Sequence, residues 1–225
     1  MDISEAIRQR KSIRKFKPDL VSKAVLKEIL EVASRSPSAM NTQPWEFFIV
    51  RGDTLEKIKQ ANVAKLQGGQ MPSPEHTIIG WPTDSVYRRR QVELGMELFR
   101  LMNISRDDAV KRMQWMERGF RYFDAPAAII IVTDKVLGEE GPLIGLGAIM
   151  QTICLAALQY GLGTCIEDQG VMYPDVIRGN LGIPEGKRII MAIAIGYPDD
   201  TFPANKLQSR RDPVDSFTTW LGFEE

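Results

Sequence analysis

The helical segment Leu143–Tyr160 is apolar all round. No side of such a helix is suited to water, so it belongs in a core or against another subunit. Two strand-length runs make a similar demand. Pro126–Thr133 (PAAIIIVT) and Arg188–Ile195 (RIIMAIAI) are continuously apolar rather than alternating, the pattern of strands covered on both faces. A chain of 225 residues can build one substantial core and is only marginally long enough for two domains. We therefore expect one α+β domain spanning 1–225, with a central mixed β-sheet covered by helices.

The remaining elements follow from local signals. Ser4–Arg10 reads as a short helix with Ser4 or Asp2 as N-cap, and Ser22–Ser34 as a helix capped by Ser22. Trp45–Arg51 is an aromatic and β-branched strand, and Thr164–Asp168 a shorter one. Gly52-Asp53 turns the chain, and Asp53 or Thr54 is expected to cap a helix running towards Lys65. Ser85–Met102, Arg106–Gly119 and Met172–Leu181 read as further helices, the last ended by Gly182 and Pro184. Gly161-Leu162-Gly163 stops the apolar helix. Between Gln67 and Pro82 glycine and proline interrupt every pattern, and irregular stretches of that length are often functional. We expect a rim or lid insertion over roughly 67–122. The polar tail ends in Phe217, Trp220 and Phe223, aromatics that need a place to be buried; a partner subunit is one.

Charge and composition exclude several classes. Twenty-nine basic residues balance twenty-nine acidic ones, so no general attraction to nucleic acid or anionic membrane is expected. Cys154 and Cys165 belong to no CxxC or Cys/His cluster, which argues against a disulfide framework or a zinc site. Cys154 reads as a small buried hydrophobe. The single His76 stands among prolines as a loop residue. No signal peptide and no membrane-spanning run is visible, so the cytoplasm is the expected location.

Four segments could carry chemistry. In Arg10-Lys11-Ser12-Ile13-Arg14, the residues Arg10, Ser12 and Arg14 alternate and would share one side of an extended segment. Two guanidinium groups and a hydroxyl suit a phosphate, although a solvated basic face gives the same pattern. Ser36–Trp45 (SPSAMNTQPW) places carboxamides before a strand, where they match the alternating C=O and N–H edge of a heterocycle or simply form a turn. Gly161–Asp168 (GLGTCIED) has glycines that would admit a flat ligand close to the backbone, but it follows a helix and is not a Rossmann fingerprint. Lys206–Arg211 (KLQSRR) is a second basic cluster.

In this combination and order, RKSIRKF, SPSAMNTQPWEFFIV, GLGTCIED and the terminal basic cluster followed by DPVDSF make the chain resemble the nitroreductase family of flavoproteins over nearly its whole length. The segments GWPTDSVYRRRQVELGMELF and AIGYPD are most similar to its nitrobenzoate and dinitroaromatic reductase branch. The resemblance implies a nitroreductase-like fold, and a homodimer with FMN at the interface and the C-terminal tail wrapping the partner. It also implies NADH or NADPH as donor and a small aromatic acceptor. By motif, Arg10, Lys11, Ser12 and Arg14 match the positions holding the FMN phosphate and the pyrimidine side of the ring. Pro37, Ser38, Ala39 and Asn41 match the loop reaching the flavin of the other subunit. Ile166 and Glu167 match the segment whose backbone faces flavin N5. Arg210 matches the terminal phosphate-binding arginine, with Lys206 and Arg211 as alternatives.

The cofactor would carry the chemistry by a ping-pong hydride mechanism, with no dedicated protein acid or base and with Arg14 stabilising the anionic reduced ring. Trp81, Tyr87 and Phe120 are candidates to pack on an aromatic acceptor, and Arg88, Arg89 and Arg90 to attract a carboxylated one, against the plainer readings of core aromatics and a solvated helix face. The same scaffold could serve enone reduction, dehalogenation or quinone reduction, or a non-enzymatic flavin-binding dimer.

Overall fold

In the computed structural model of the chain, which describes residues 2–78 and 80–223, the two continuously apolar runs lie side by side at the centre of one sheet. They form β2 (Ala127–Asp134) and β4 (Lys187–Gly196), paired antiparallel. Two edge strands complete the order β1–β2–β4–β3: β1 (Glu46–Arg51) on β2, with Phe48 opposite Ile130, and β3 (Gly163–Glu167) on β4, with Cys165 opposite Ala194.

All three pairings are antiparallel, so the sheet is not the mixed one expected from the sequence. Helices do separate successive strands along the chain, as in parallel crossovers. Strands β2 and β3 do run in the same direction, joined through a helix, but β4 is inserted between them and restores antiparallel neighbours. The parallel contact among the described residues is a single bridge between Ser12 and Thr164.

Alternate residues of the central strands feed two cores. Ala127, Ile129, Ile131, Ile193 and Ile195 face α2 (Lys23–Ala33) and α6 (Leu143–Leu158). Ala128, Ile130, Val132, Ala192 and Ala194 face a cluster supplied by α3 (Gly52–Gln67), α5 (Ala109–Phe120) and α7 (Pro174–Leu181). A bulge in the β2–β4 ladder at Ile190 interrupts the alternation of β4, where Ile190 and Met191 both join the α2 and α6 core, while that of β2 runs on unbroken. The remaining helices, α1 (Ile3–Gln9) and α4 (Val86–Leu101), are peripheral; Leu98 is the buried residue of α4.

Capping follows the sequence in most places. Ser22 accepts from the Val25 N–H at 3.2 Å, Ser85 from Arg88 at 3.1 Å, and Asp2 from Glu5 at 2.8 Å. Helix α3 departs from expectation. It starts directly after β1 with Arg51 at the cap position and no side-chain cap bond, so Asp53 and Thr54 lie inside its first turn, where Asp53 still favours the helix dipole. Helix α7 closes at Gly182 in the left-handed region (φ 64°). No helix among the described residues is long and apolar enough to cross a membrane, and they contain no His, Cys, Asp and Glu group that could hold a metal ion.

The irregular stretch after α3 is fastened at specific points. Tyr173 donates its hydroxyl to the Gln70 carbonyl (2.8 Å), and the Ser73 N–H reaches the Met172 carbonyl (3.1 Å). Glu75 takes a bidentate pair from Arg178 (2.7 Å from Nη2 to each oxygen) and the N–H of Ile189 (2.8 Å). Burial alone would raise the Glu75 carboxyl, but the Arg178 hydrogen bonds, the Ile189 N–H and the Arg178 charge hold it below its usual value. A carboxyl depressed in the folded state contributes stability above its unfolded pKa and loses it as pH falls through the folded value. Glu75→Gln is expected to cost about 2 kcal/mol at neutral pH. In urea titrations across pH, the gap to wild type should close on acidification below the ordinary glutamate range; a gap independent of pH would refute the ion-pair account.

Candidate active site

After α1 the chain runs extended along the outer edge of β3. The Ile13 N–H donates to the Thr164 carbonyl at 2.9 Å, and Phe16 bridges Pro198 further on. Ile13 and Phe16 are buried, while Arg10, Lys11, Ser12 and Arg14 are half-buried. This close approach requires Gly163: a Cβ there would lie 2.5 Å from Ile13 Cγ1 and 2.8 Å from Pro198 Cγ.

The Arg14 peptide is held on both sides. Its N–H donates to Asn205 Oδ1 at 2.6 Å, and its carbonyl accepts from Arg118 Nη2 at 2.8 Å. Asn205 Nδ2 also donates to the Lys15 carbonyl at 2.8 Å. Burial strips water from the Arg14 guanidinium and holds it below the ordinary arginine value. Arginine stays charged even so. Among the described residues none of Arg10, Lys11 and Arg14 forms an ion pair, whereas neighbouring Lys15, Arg118 and Arg121 all do. A cluster of partly desolvated cations without carboxylates, joined by the Ser12 hydroxyl, is a donor set that fits an anionic group such as a phosphate.

Beside it lies the open edge of β3. Thr164 uses that edge for Ile13, so by alternation the Ile166 peptide points the same way, two residues further along. Glu167 points into the core instead. Its Oε2 accepts from the Gly170 N–H at 2.8 Å, and Oε1 is buried with no partner. Burial holds this carboxyl well above the usual carboxylate range, the Gly170 bond working the other way. Burial thus favours the neutral form of Glu167 beside the Arg14 cluster. Cys165, below Arg14, is likewise neutral, its thiol pushed up to about 12 by burial against the opposing arginine charge.

The third segment lies elsewhere. Pro37, Ala39 and Asn41 are exposed, Ser38 is half-exposed, and Met40 and Asn41 adopt left-handed φ of 50° and 58°. Ser36 donates to Thr152 of α6 at 2.7 Å, and Thr133 of β2 donates to the Pro44 carbonyl at 2.7 Å. The loop leads into β1 and the basic segment lines β3, at opposite edges of the sheet, three strand spacings or about 14 Å apart. The terminal basic residues also separate. Arg210 lies by Glu97 of α4, and neighbouring Asp212 pairs with Arg90. Lys206 closes the short turn Pro203–Lys206 that carries Asn205. Arg211 bonds Ser209.

At the rim, Trp81 and Tyr87 pair with ring centroids 5.4 Å apart, and both are exposed. Phe120 does not join them. It is 2% exposed and packs on Tyr173 in the core, so it cannot contact an acceptor. Of the arginine run, Arg89 approaches Glu93, Arg90 pairs with Asp212, and Arg88 hydrogen-bonds Gln91.

A model of the nitroreductase family matches residues 7–197. The chain belongs to the nitroreductase family. It is 32% identical to a nitrobenzene nitroreductase of Ectopseudomonas oleovorans, the alignment covering 97% of this chain and 96% of the relative. It is 28% identical to a 4-nitrobenzoate reductase of Pseudomonas putida, covering 99% and 97%. Among solved structures, an FMN- and NADPH-dependent nitroreductase, NfnB, from a Sphigopyxis strain superposes with a TM-score of 0.94 at 28% identity, covering 99% of this chain and 100% of that one. The FMN-dependent NfnB of Mycobacterium smegmatis, solved with NADPH, gives 0.90 at 25% identity, covering 98% and 100%. The protein is thus a flavin oxidoreductase of the nitroreductase family.

In this nitroreductase, Gly163→Ala should push the Ile13–Arg14 segment off β3 and destabilise the fold by about 1–3 kcal/mol. Chemical denaturation measures this; a midpoint unchanged from wild type would show that the segment yields without cost.

Proposed function

We propose that this enzyme uses FMN to transfer electrons from NADH or NADPH to nitroaromatic acceptors, and that it works as a homodimer with the flavin shared between subunits. The observation carrying this reading is the half-buried, carboxylate-free cluster of Arg10, Lys11 and Arg14 beside the open edge of β3. Nitrobenzene, chloronitrobenzene and 4-nitrobenzoate as the substrates named for its relatives support the acceptor class.

Bound FMN would supply hydride acceptance and donation in alternation. Arg10, Lys11 and Ser12 would hold the phosphate. Arg14 would face the pyrimidine side and stabilise negative charge there, with its peptide already fixed by Asn205 and Arg118. The Ile166 N–H would donate to the ring edge. Lys206, next to Asn205, is the terminal cation best placed to reach the phosphate within the same chain; Arg210 would do so only from a rearranged or partner tail. Protons would come from water, since Glu167 is turned into the core.

Three features support the dimer. The Pro37–Asn41 loop stands at the opposite edge of the sheet from β3 in its own chain, whereas a second copy could present it there. The outer side of α6 exposes Ile144 (88%), Gly147 and Gln151, so the core covers only part of this apolar helix. The tail aromatics Phe217, Trp220 and Phe223 are exposed, and a groove of about 630 Å³ lined by Leu26, Leu30, Ile49 and Arg51 runs beside edge strand β1. A partner's tail would fill it.

Purified protein should show flavin absorption that bleaches with NADH or NADPH under anaerobic conditions and returns on adding a nitroaromatic. Arg14→Ala should weaken FMN binding about tenfold or more and slow reduction. A colourless protein that fails to take up FMN would overturn the proposal. Full occupancy and unchanged reduction in Arg14→Ala would overturn that residue's role. A monomeric mass with flavin bound would remove the shared site.

A further inference from the structure

Between α5 and β2, three consecutive residues that are not glycine lie in the left-handed region: Tyr122, Phe123 and Asp124, with φ of 54°, 52° and 60°. Aspartate tolerates this conformation, but aromatic residues rarely adopt it, and a run of three persists only where the surroundings over-determine it. We propose that this corner is a clamp that sets the two flavin-facing segments relative to each other, with Asp124 and Arg118 as positioning residues. The inference rests on the FMN reading above.

One arm of the clamp reaches the basic segment. The Asp124 carboxylate receives Arg121 Nε at 2.9 Å, Arg118 Nη1 at 3.3 Å and Lys15 Nζ at 3.5 Å. Arg118 then extends Nη2 to the Arg14 carbonyl at 2.8 Å, with its guanidinium 4.8 Å from the Phe202 ring centroid. Its Nε–H is buried with no acceptor. Leaving a buried donor unsatisfied is costly. Arg118 is therefore oriented to reach Asp124 and Arg14 together rather than to satisfy every hydrogen.

The other arm reaches the end of β3. Tyr122, fully buried, donates its hydroxyl to the Gly170 carbonyl at 2.7 Å, and the Gly170 N–H donates to Glu167 at 2.8 Å. The packing is tight: a Cβ on Gly170 would lie 2.4 Å from Glu167 Oε1 and 2.5 Å from the Tyr122 ring. Behind the corner, buried Lys59 donates to the Ala125 carbonyl at 2.8 Å. Asp124 thus bears on the Arg14 peptide through Arg118, and Tyr122, two residues before it, bears on the Glu167 side chain at the end of β3 through Gly170. A corner that served only the core would have no need to reach Arg14.

Asp124→Asn tests this cleanly, because asparagine also accepts the left-handed conformation while removing the charge that orients Arg118 and Lys15. Arg118→Lys keeps a cation but cannot bond Asp124 and Arg14 together. FMN dissociation constants of the full-length proteins, from flavin fluorescence, should rise about tenfold in each variant. The visible circular dichroism of the bound flavin should change, with thermal midpoints falling far less than affinity. Both variants binding FMN within twofold of wild type, with unchanged flavin dichroism, would overturn the clamp; if Asp124→Asn does not fold, Arg118→Lys alone decides. A wild type that binds no FMN overturns the functional reading, and the clamp with it.

Discussion

The antiparallel pair of β2 and β4 leaves no polar surface at the centre of the molecule. Every side chain from Ala127 to Thr133 is buried, and β4 is equally closed along Ala192–Gly196. Helices must therefore cover both faces, and each of the two cores takes alternate residues of the same strands. A flat ligand cannot enter between such layers, so chemistry is displaced to the sheet's edges and corners. At the β3 edge, glycine at position 163 lets a basic segment lie directly on the strand, which brings cations against exposed peptide groups without any cavity in the core.

Electrostatically, the fold separates its arginines into two populations. Arg118, Arg121 and Arg178 are bound to Asp124, Glu117 and Glu75 and serve as struts. Arg10 and Arg14 pair with no carboxylate among the described residues, and burial raises the carboxyl of Glu167, the acid within β3, well above the usual carboxylate range. A desolvated cation with a carboxylate beside it would be neutralised, while one left free keeps its attraction for an incoming anion. The struts and the free cations are linked through one atom, the Arg14 carbonyl, which accepts from Arg118. The position of the free charges thus depends on the ion pairs behind them.

Most of the secondary structure was legible because apolar runs and cap residues act locally: Ser22 caps α2, Gly182 stops α7, and both central strands lie where their runs predict. The direction of the sheet was not legible. The order of elements along a chain does not say which strand is inserted between two others, and β4 between β2 and β3 turned an expected mixed sheet antiparallel. Side-chain roles were legible only where a pattern repeats. The basic segment itself could be read from its charges, and the structure buries Ile13 within it. Asn205 and Arg118 left no periodic trace: a buried asparagine in a turn resembles any turn residue, and Arg118 is one of several charged residues of the Arg106–Gly119 segment. For Phe120 the plainer reading as a core aromatic holds, although aromatic residues in a core and around a substrate look alike in sequence.

The sheet order also bears on subunit number. Carboxamides before β1 and cations on β3 stand at opposite edges, and the distance between them is set by two intervening strands that the core cannot release. Ser36 on α6 and Pro44 on Thr133 hold the two ends of that loop on the β1 side of the sheet. On the dimeric reading, this separation is what makes two complete sites: each chain offers one edge of each kind, and a two-fold axis sets unlike edges together twice. The uncovered side of α6 then has a natural partner in its own copy. On the same reading, the absence of charge from the outer side of α6 suits a contact with that copy.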